Sequence, residues 1–81
     1  MEIKELVNKQ NLSPEDILNL ISFVGKNKDI IIVKNDGIRD SNQYSVIIIS
    51  SKNSEKSFRC DNSLLPEAMK KVLSEYIKEF F

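Results

Sequence analysis

The sequence contains no histidine and no tryptophan, and its 81 residues include one cysteine, two glycines and two prolines. Without histidine, the chain lacks the side chain that most often acts as a general base near neutral pH. One cysteine cannot form an internal disulfide, and together with the absence of histidine it leaves too few ligands for a zinc site. The composition therefore favours a protein that is not an enzyme and has no metal or other cofactor.

The charge balance disfavours two classes of partner. The chain has 12 Lys and Arg against 12 Asp and Glu, for a net charge of zero. It therefore has no sequence-independent attraction to nucleic-acid phosphates or to an anionic membrane. No apolar run approaches the 18 residues of a membrane span, and the first residues, 1–6, carry acids where a signal peptide carries bases. We expect a cytoplasmic protein that contacts no membrane.

Length and composition set the scale of the fold. At 41% hydrophobic and 30% charged residues, the chain has the composition of a globular domain, and its length allows one domain over residues 1–81. Such a small domain has a thin core. The chain also contains 11 Ile, 10 Lys and 8 Asn, residues with A/T-rich codons. This bias suggests an AT-rich genome, such as that of a low-GC bacterium or one of its phages.

Three segments have the spacing of amphipathic helices. Residues 2–10 form a short one, Pro14–Val24 a longer one, and residues 64–80 the longest. Ser13 precedes Pro14 and two acids, a combination typical of a helix start. Gly25 is expected to end the second helix.

Three further segments predict strands. Residues 29–34 and 43–50 are rich in β-branched residues, and residues 56–60 alternate polar and apolar side chains. Turn formers fill residues 35–42, and residues 51–55 are a polar hairpin connection. The predicted order is α-α-β-β-β-α. It indicates a two-layer α+β domain with a three-stranded antiparallel meander and amphipathic helices packed over it.

The apolar positions of these elements predict one core cluster. Cys60 shares a strand face with Phe58, which favours a buried, unreactive thiol over a nucleophile. The other predicted core residues come from the second and third helices and the strands: Ile17, Leu20, Ile21, Val33, Val46, Ile48, Met69, Val72, Leu73 and Tyr76.

The loop acids do not form a convincing reactive site. Asp36 and Asp40 lie in a segment whose composition is explained by turn formation alone. Asp36-Gly37 is similar to part of a calcium loop, but Lys34 and Ile38 stand where oxygen ligands are needed. Neither glycine belongs to a phosphate-binding loop that opens a helix.

The order α-β-β-β-α over residues 14–81 resembles that of the double-stranded-RNA-binding domain. The resemblance implies nucleic-acid binding as the alternative function. Such domains place lysines at the start of the final helix, where they face phosphates. Here residues 64–67 are apolar and then acidic, while Lys70 and Lys71 come a turn later.

The middle strand predicts an interaction surface. Because side chains alternate along a strand, Ile47 and Ile49 point away from Val46 and Ile48, so both faces of the sheet are apolar. Three covers for Ile47 and Ile49 are open: the Ser13-capped helix, with the first helix as an accessory flap; a second copy of the chain; or another protein.

We interpret Ile47 and Ile49 as partner-binding residues, with Asp36, Arg39 and Asp40 at the rim. The predicted function is a small non-catalytic binding or regulatory protein that contacts another protein, with a homodimer as a further option. A phage or mobile-element accessory protein, such as an inhibitor of a host enzyme, fits this size and composition.

Overall fold

The structure, a computed structural model, describes residues 3–51 and 56–81. It confirms the predicted fold class: three helices and a three-stranded antiparallel sheet of order β1-β2-β3. Residue 2 of the first predicted helix and residues 52–55 of the predicted hairpin connection lie outside the described residues. In chain order the elements are α1 (Ile3–Val7), α2 (Pro14–Lys26), β1 (Ile30–Asn35), β2 (Tyr44–Ile49), β3 (Ser57–Asn62) and α3 (Leu65–Phe80).

The start of α2 is fixed by a reciprocal capping box. The Asp16 amide donates to Ser13 Oγ at 3.1 Å, and the Ser13 amide donates to Asp16 Oδ2 at 2.9 Å. Lys9 Nζ also donates to Asp16 Oδ2, at 2.7 Å. These hydrogen bonds, led by that of Lys9, hold the pKa of Asp16 below its ordinary value. The predicted helix start is confirmed, and Lys9 ties the segment after α1 to it.

The end of α2 differs from the prediction. The helix continues through Gly25 to Lys26, and Lys28 takes the left-handed conformation with φ 67°. The Asp29 amide donates to Val24 O at 3.2 Å and the Lys28 amide to Gly25 O at 3.0 Å. This pair of bonds is a Schellman motif, which usually has glycine at the left-handed position. The prediction that Gly25 ends the helix was wrong because the turn that closes the helix lies three residues later.

All three helices pack on one face of the sheet. Val46 and Ile48 from β2 belong to the same buried cluster as residues from every helix, while Ile47 and Ile49 do not. The helices therefore do not divide between the two faces. The buried cluster is Leu6, Val7, Leu12, Leu20, Val24, Val46, Ile48, Ala68, Met69, Val72, Leu73, Tyr76 and Ile77.

The core prediction is confirmed for most residues and wrong for one. Ile17, Ile21 and Phe58 are half-buried and pack against the cluster. Val33 is 41% exposed. It lies on the helix side, opposite Val46, but α3 covers β2 and β3 and leaves this part of β1 open.

The first helix is part of the core. Leu6 and Val7 are each 4% exposed, and α1 contacts both α2 and α3. The alternative in which α1 is an accessory flap is therefore wrong. Its five residues are too few to form a stable helix alone, so its buried side chains hold it in place.

A buried polar junction ties α3 to the start of β1. Tyr76 Oη donates to Asp29 Oδ2 at 2.5 Å, and the Ser51 amide donates to Asp29 Oδ1 at 2.9 Å. Burial, followed by the Asp29 hydrogen bond and charge, raises the pKa of Tyr76 well above its ordinary value of 10.0. The junction joins three segments that are distant in the chain.

Candidate interaction surface

We call the sheet side away from the helices the open face. Its residues follow from the register, in which Ile32 pairs with Ile47, and Ile47 with Arg59. Because alternate residues of a strand share a face, each strand contributes three residues. They are Ile30, Ile32 and Lys34 from β1, Ser45, Ile47 and Ile49 from β2, and Ser57, Arg59 and Asp61 from β3.

One half of the open face is a block of four isoleucines. Ile30 pairs with Ile49 and Ile32 with Ile47 across the β1–β2 ladder. Ile30 is 54% exposed and Ile32 42% exposed, while Ile47 and Ile49 are half-buried. With strands about 4.8 Å apart and about 3.3 Å per residue, the whole open face measures roughly 300 Å² in plan, and the four-isoleucine block covers about half of it. Exposed apolar patches of a few hundred Å² often mark interaction sites, and this block supplies part of such a patch.

The other half is a polar network centred on Asp61. Ser45 Oγ donates to Asp61 Oδ1 at 2.6 Å, and Arg59 Nε lies 3.3 Å from the same oxygen. Arg39 Nη1 lies 3.7 Å from Asp61 Oδ2. The Ser45 hydrogen bond, followed by Arg59 and Arg39, lowers the pKa of Asp61. The carboxylate is therefore charged at neutral pH, accepts hydrogen bonds from side chains of two strands and forms an ion pair with the loop.

The β1–β2 loop, residues 36–42, is folded against this polar half. Arg39 Nε lies 3.3 Å from Asp36 Oδ2, and Arg39 Nη1 donates to Asn42 O at 2.9 Å. The Asn42 amide donates to Ser63 Oγ at 2.9 Å, which fixes the loop to the segment before α3. The loop tip presents Ile38, which is 94% exposed. The loop is therefore held by hydrogen bonds and presents an exposed isoleucine beside the polar half.

The structure brings most of the predicted site residues together. Ile47 and Ile49 share the open face, and Asp36 is linked to that face through Arg39 and Asp61. Asp40 is exposed at the loop. The part of the site that sequence reasoning did not name is the contribution of the outer strands: Ile30, Ile32, Lys34 and Arg59. Their alternation was visible, but placing them beside Ile47 required the register.

Metal-ligand clusters and surface grooves are the other kinds of site to consider in the described residues. Residues 3–51 and 56–81 hold no group of three or more Cys, Asp and Glu side chains placed to bind a metal ion. Two shallow grooves of about 180 and 420 Å³ flank α1. Each groove is lined by aliphatic residues together with lysine, asparagine and serine side chains, and the larger groove also by Phe23. Cys60 is half-buried, and its low reactivity stays a prediction.

Comparison with protein-family models, curated proteins and solved structures finds no match for this chain. None of the helices in the described parts of the chain is long and apolar enough to span a membrane. The functional interpretation therefore depends on the geometry of the open face and its loop.

Proposed function

We propose that this chain is a small, non-catalytic binding or regulatory protein that acts in the cytoplasm through protein–protein contact. The observation that carries the proposal is the four-isoleucine block on one half of a sheet face that no helix of the described residues covers. The partner is a protein with an apolar patch that fits this block. A phage or mobile-element accessory role, such as inhibition of a host enzyme, is consistent with the size and composition.

The apolar block requires help from its rim. Burying the four-isoleucine block, roughly 150 Å², at about 25 cal/mol per Å² favours a complex by about 4 kcal/mol. Association costs about 4–15 kcal/mol in lost motional freedom, so this face alone gives a weak complex. The loop with Asp36, Arg39 and Asp40 adjoins the polar half of the face and supplies the additional contacts.

The charges at the rim favour a partner surface with charges of both signs. Lys34, Arg39 and Arg59 surround the polar half, and Asp61 is the acid of that face. Arg39 and Arg59 share this carboxylate, and Arg39 also pairs with Asp36. The loop carries a second acid, so three cations stand against three acids. We expect the partner to place complementary charges opposite them, and we expect the complex to weaken as salt concentration rises.

The test compares substitutions on and off the open face. Tagged wild-type protein, Ile47→Lys and Ile49→Lys are used to capture proteins from a bacterial lysate, and Leu64→Lys is the matched control. Leu64 is 61% exposed and lies outside the sheet. Ile47→Lys and Ile49→Lys are expected to stay folded by circular dichroism, because a lysine stem packs along apolar surface while its head reaches water.

A specific partner is recovered by the wild type and the control and is lost with both open-face variants. Equal recovery by all four proteins contradicts the proposal. If Ile47→Lys and Ile49→Lys both unfold, the face is internal core and the proposal also fails.

Nucleic-acid binding is the second candidate, supported by the element order of residues 14–81. Retention of the chain on duplex RNA at low salt, with a steep loss as salt rises, would support it. The acid Glu67 in the first turn of α3 stands against it. We expect no retention above about 100 mM salt, where exposed charges are screened beyond about 10 Å.

A further inference from the structure

The two edges of the sheet differ in chemistry. The outer strand β3 carries Arg59 and Asp61, and charged side chains discourage a further strand from pairing. The outer strand β1 exposes Ile30, Ile32 and Val33, by 54%, 42% and 41%, and has one charge, Lys34. An apolar, regular edge of this kind is a template for strand addition.

Half of the β1 backbone faces outward. The Asp36 amide donates to Gln43 O at 2.7 Å, which makes this a hydrogen-bonded pair in the β1–β2 register. Because such pairs alternate along an antiparallel ladder, Ile30, Ile32 and Lys34 bond to β2. The amide and carbonyl groups of Ile31 and Val33 therefore point toward the free edge.

The helix layer also stops short of this edge. Val33 lies on the helix side but is exposed, because α3 packs over β2 and β3. On α2, the side that carries Phe23 faces α3, because the Phe23 ring centre lies 5.3 Å from that of Phe81, the residue after α3. Ile21 lies about 160° around α2 from Phe23 and therefore on the side away from α3. Leu18, 64% exposed, lies beside Ile21 and extends this apolar side of α2. Among the described residues, no strand pairs with this edge, and the helices leave Val33 exposed beside it.

We propose that two copies of the chain pair through β1, antiparallel about a two-fold axis at Ile32, to form a six-stranded sheet. A two-fold axis perpendicular to the sheet keeps both open faces on the same side. It places Ile32 opposite its own copy, Ile31 opposite Val33 of the second copy, and Ile30 opposite Lys34 of the second copy. The outward groups of Ile31 and Val33 then form about four backbone hydrogen bonds across the axis.

This register suits the side chains better than its neighbour. Centring the axis on Ile32 pairs only aliphatic residues on the helix side and covers the exposed Val33. Centring it on Val33 would place Asn35 opposite Ile31. The lone charge, Lys34, faces an isoleucine, and the two lysines stand four residues apart along the paired strands, about 13 Å, beyond the screening length of about 10 Å at 0.1 M salt.

A second copy fits the edge better than a flexible foreign segment. Its β1 is already extended in a folded sheet, so pairing does not incur the cost of ordering a free chain, about 1–2 kcal/mol per residue. The same axis brings the Leu18 flanks of the two α2 helices to one side of the sheet. Because the β3 edge is charged, assembly stops at two copies, as an isologous contact requires.

The first experiment blocks the edge. Val33→Pro removes an outward amide that has no bond to β2, so the monomer is expected to keep its fold. Arg59→Pro is the matched control, since the same alternation points the Arg59 amide outward at the β3 edge. Sedimentation velocity from about 10 µM to 1 mM is expected to show a weak dimer, as interfaces of small area give. Val33→Pro is expected to weaken it at least about 10-fold, and Arg59→Pro to leave it unchanged.

The second experiment tests the register and does not depend on proline. Ile30→Glu places a carboxylate opposite Lys34 of the second copy and is expected to tighten the dimer about 3- to 10-fold. Ile32→Glu places two carboxylates against each other at the axis and is expected to weaken the dimer by at least a similar factor. Adding Lys34→Ala to Ile30→Glu is expected to remove the gain.

Several results would overturn the proposal. They are a monomer at 1 mM in about 0.1 M salt, a Val33→Pro dimer as tight as the wild type, or effects of the same sign for both glutamate variants. A dimer broken by Ile47→Lys but not by Val33→Pro would show face-to-face packing instead.

The proposal is independent of the proposed function: Val33 lies on the helix side, so Val33→Pro leaves the open-face side chains in place for the capture experiment. If the wild type is monomeric and captures a protein that Val33→Pro does not capture, the edge binds a strand of that protein instead of a second copy.

Discussion

The two faces of β2 carry nearly the same side chains in opposite environments. Val46 and Ile48 are fully buried beneath the helices, whereas Ile47 and Ile49 remain half-buried on the open face. Neighbours along the chain, with the same hydrophobicity, thus differ in what covers them. Apolar character therefore makes a residue suitable for a core, while the position of the helices decides which apolar residues are buried in it.

The unequal cover has a simple cause. Each helix offers one apolar stripe, and in a chain of 81 residues these stripes suffice for one core. Placing a helix on each face would divide that core into two thinner ones, each burying less area per residue. Packing all helices on one side concentrates burial there and leaves the second face uncovered.

The largest expected effect comes from trimming the two faces in parallel. Ile48→Ala is expected to lower the free energy of unfolding by about 2–4 kcal/mol, because it removes buried methyl groups and leaves a cavity. Ile47→Ala is expected to cost less than about 1 kcal/mol, because the lost surface is already partly in water. Urea unfolding of both variants measures the difference, and equal costs would break the distinction between the faces.

The next effect tests the hydrogen bond that ties α3 to the start of β1. Tyr76→Phe removes the hydroxyl that binds Asp29 and is expected to cost about 1–3 kcal/mol at neutral pH. Because the folded pKa of Tyr76 is raised above 10.0, its contribution is fully present below pH 10 and is lost as pH rises further. The free energy of unfolding, measured as a function of pH, should therefore fall less above pH 10 in Tyr76→Phe than in the wild type. Tyr44→Phe, outside this junction, is the control, and an identical pH profile for Tyr76→Phe and wild type would contradict the assignment.

The smallest expected changes in the free energy of unfolding come from substitutions at the end of α2. Gly25 is in the last turn of α2, and a methyl group at its Cβ position would meet nothing within 4 Å. Gly25→Ala is expected to stabilise the fold by about 0.5–1 kcal/mol. Lys28→Gly, at φ 67°, is expected to gain a similar amount by relieving the left-handed conformation. Thermal unfolding should show a rise of a few degrees for each, and a fall for Lys28→Gly would contradict the Schellman assignment.

Local pattern was enough to predict the elements themselves. Ser13 and the acids after Pro14 specify the start of α2, and the β-branched segments specify β1 and β2 at nearly the observed bounds. The end of α2 was not predictable in this way. Gly25 is the residue that local rules choose for a helix end, but the chain turns at Lys28, where the segment must enter β1 and bring Asp29 beneath Tyr76.

The candidate site was half visible in the sequence. Alternation identified Ile47 and Ile49 as a second apolar face, but it could not show that Ile30, Ile32 and Arg59 adjoin them. The link from Arg39 to Asp61 joins residues 22 positions apart, and only the folded loop makes it. For Val33 the sequence pattern was misleading in the opposite way. The pattern predicts a core residue, but its place on an edge strand leaves the side chain exposed.

The order of elements, the fold class and the existence of two apolar sheet faces can be predicted from the sequence alone, because they depend on the spacing of side chains along single segments. Only the folded molecule shows which face the helices cover, which edge strand stays apolar, and which loop side chains reach the open face. These features depend on contacts between segments distant in the chain, and the same local pattern is compatible with either outcome. They are settled by which arrangement buries the most apolar surface in one core.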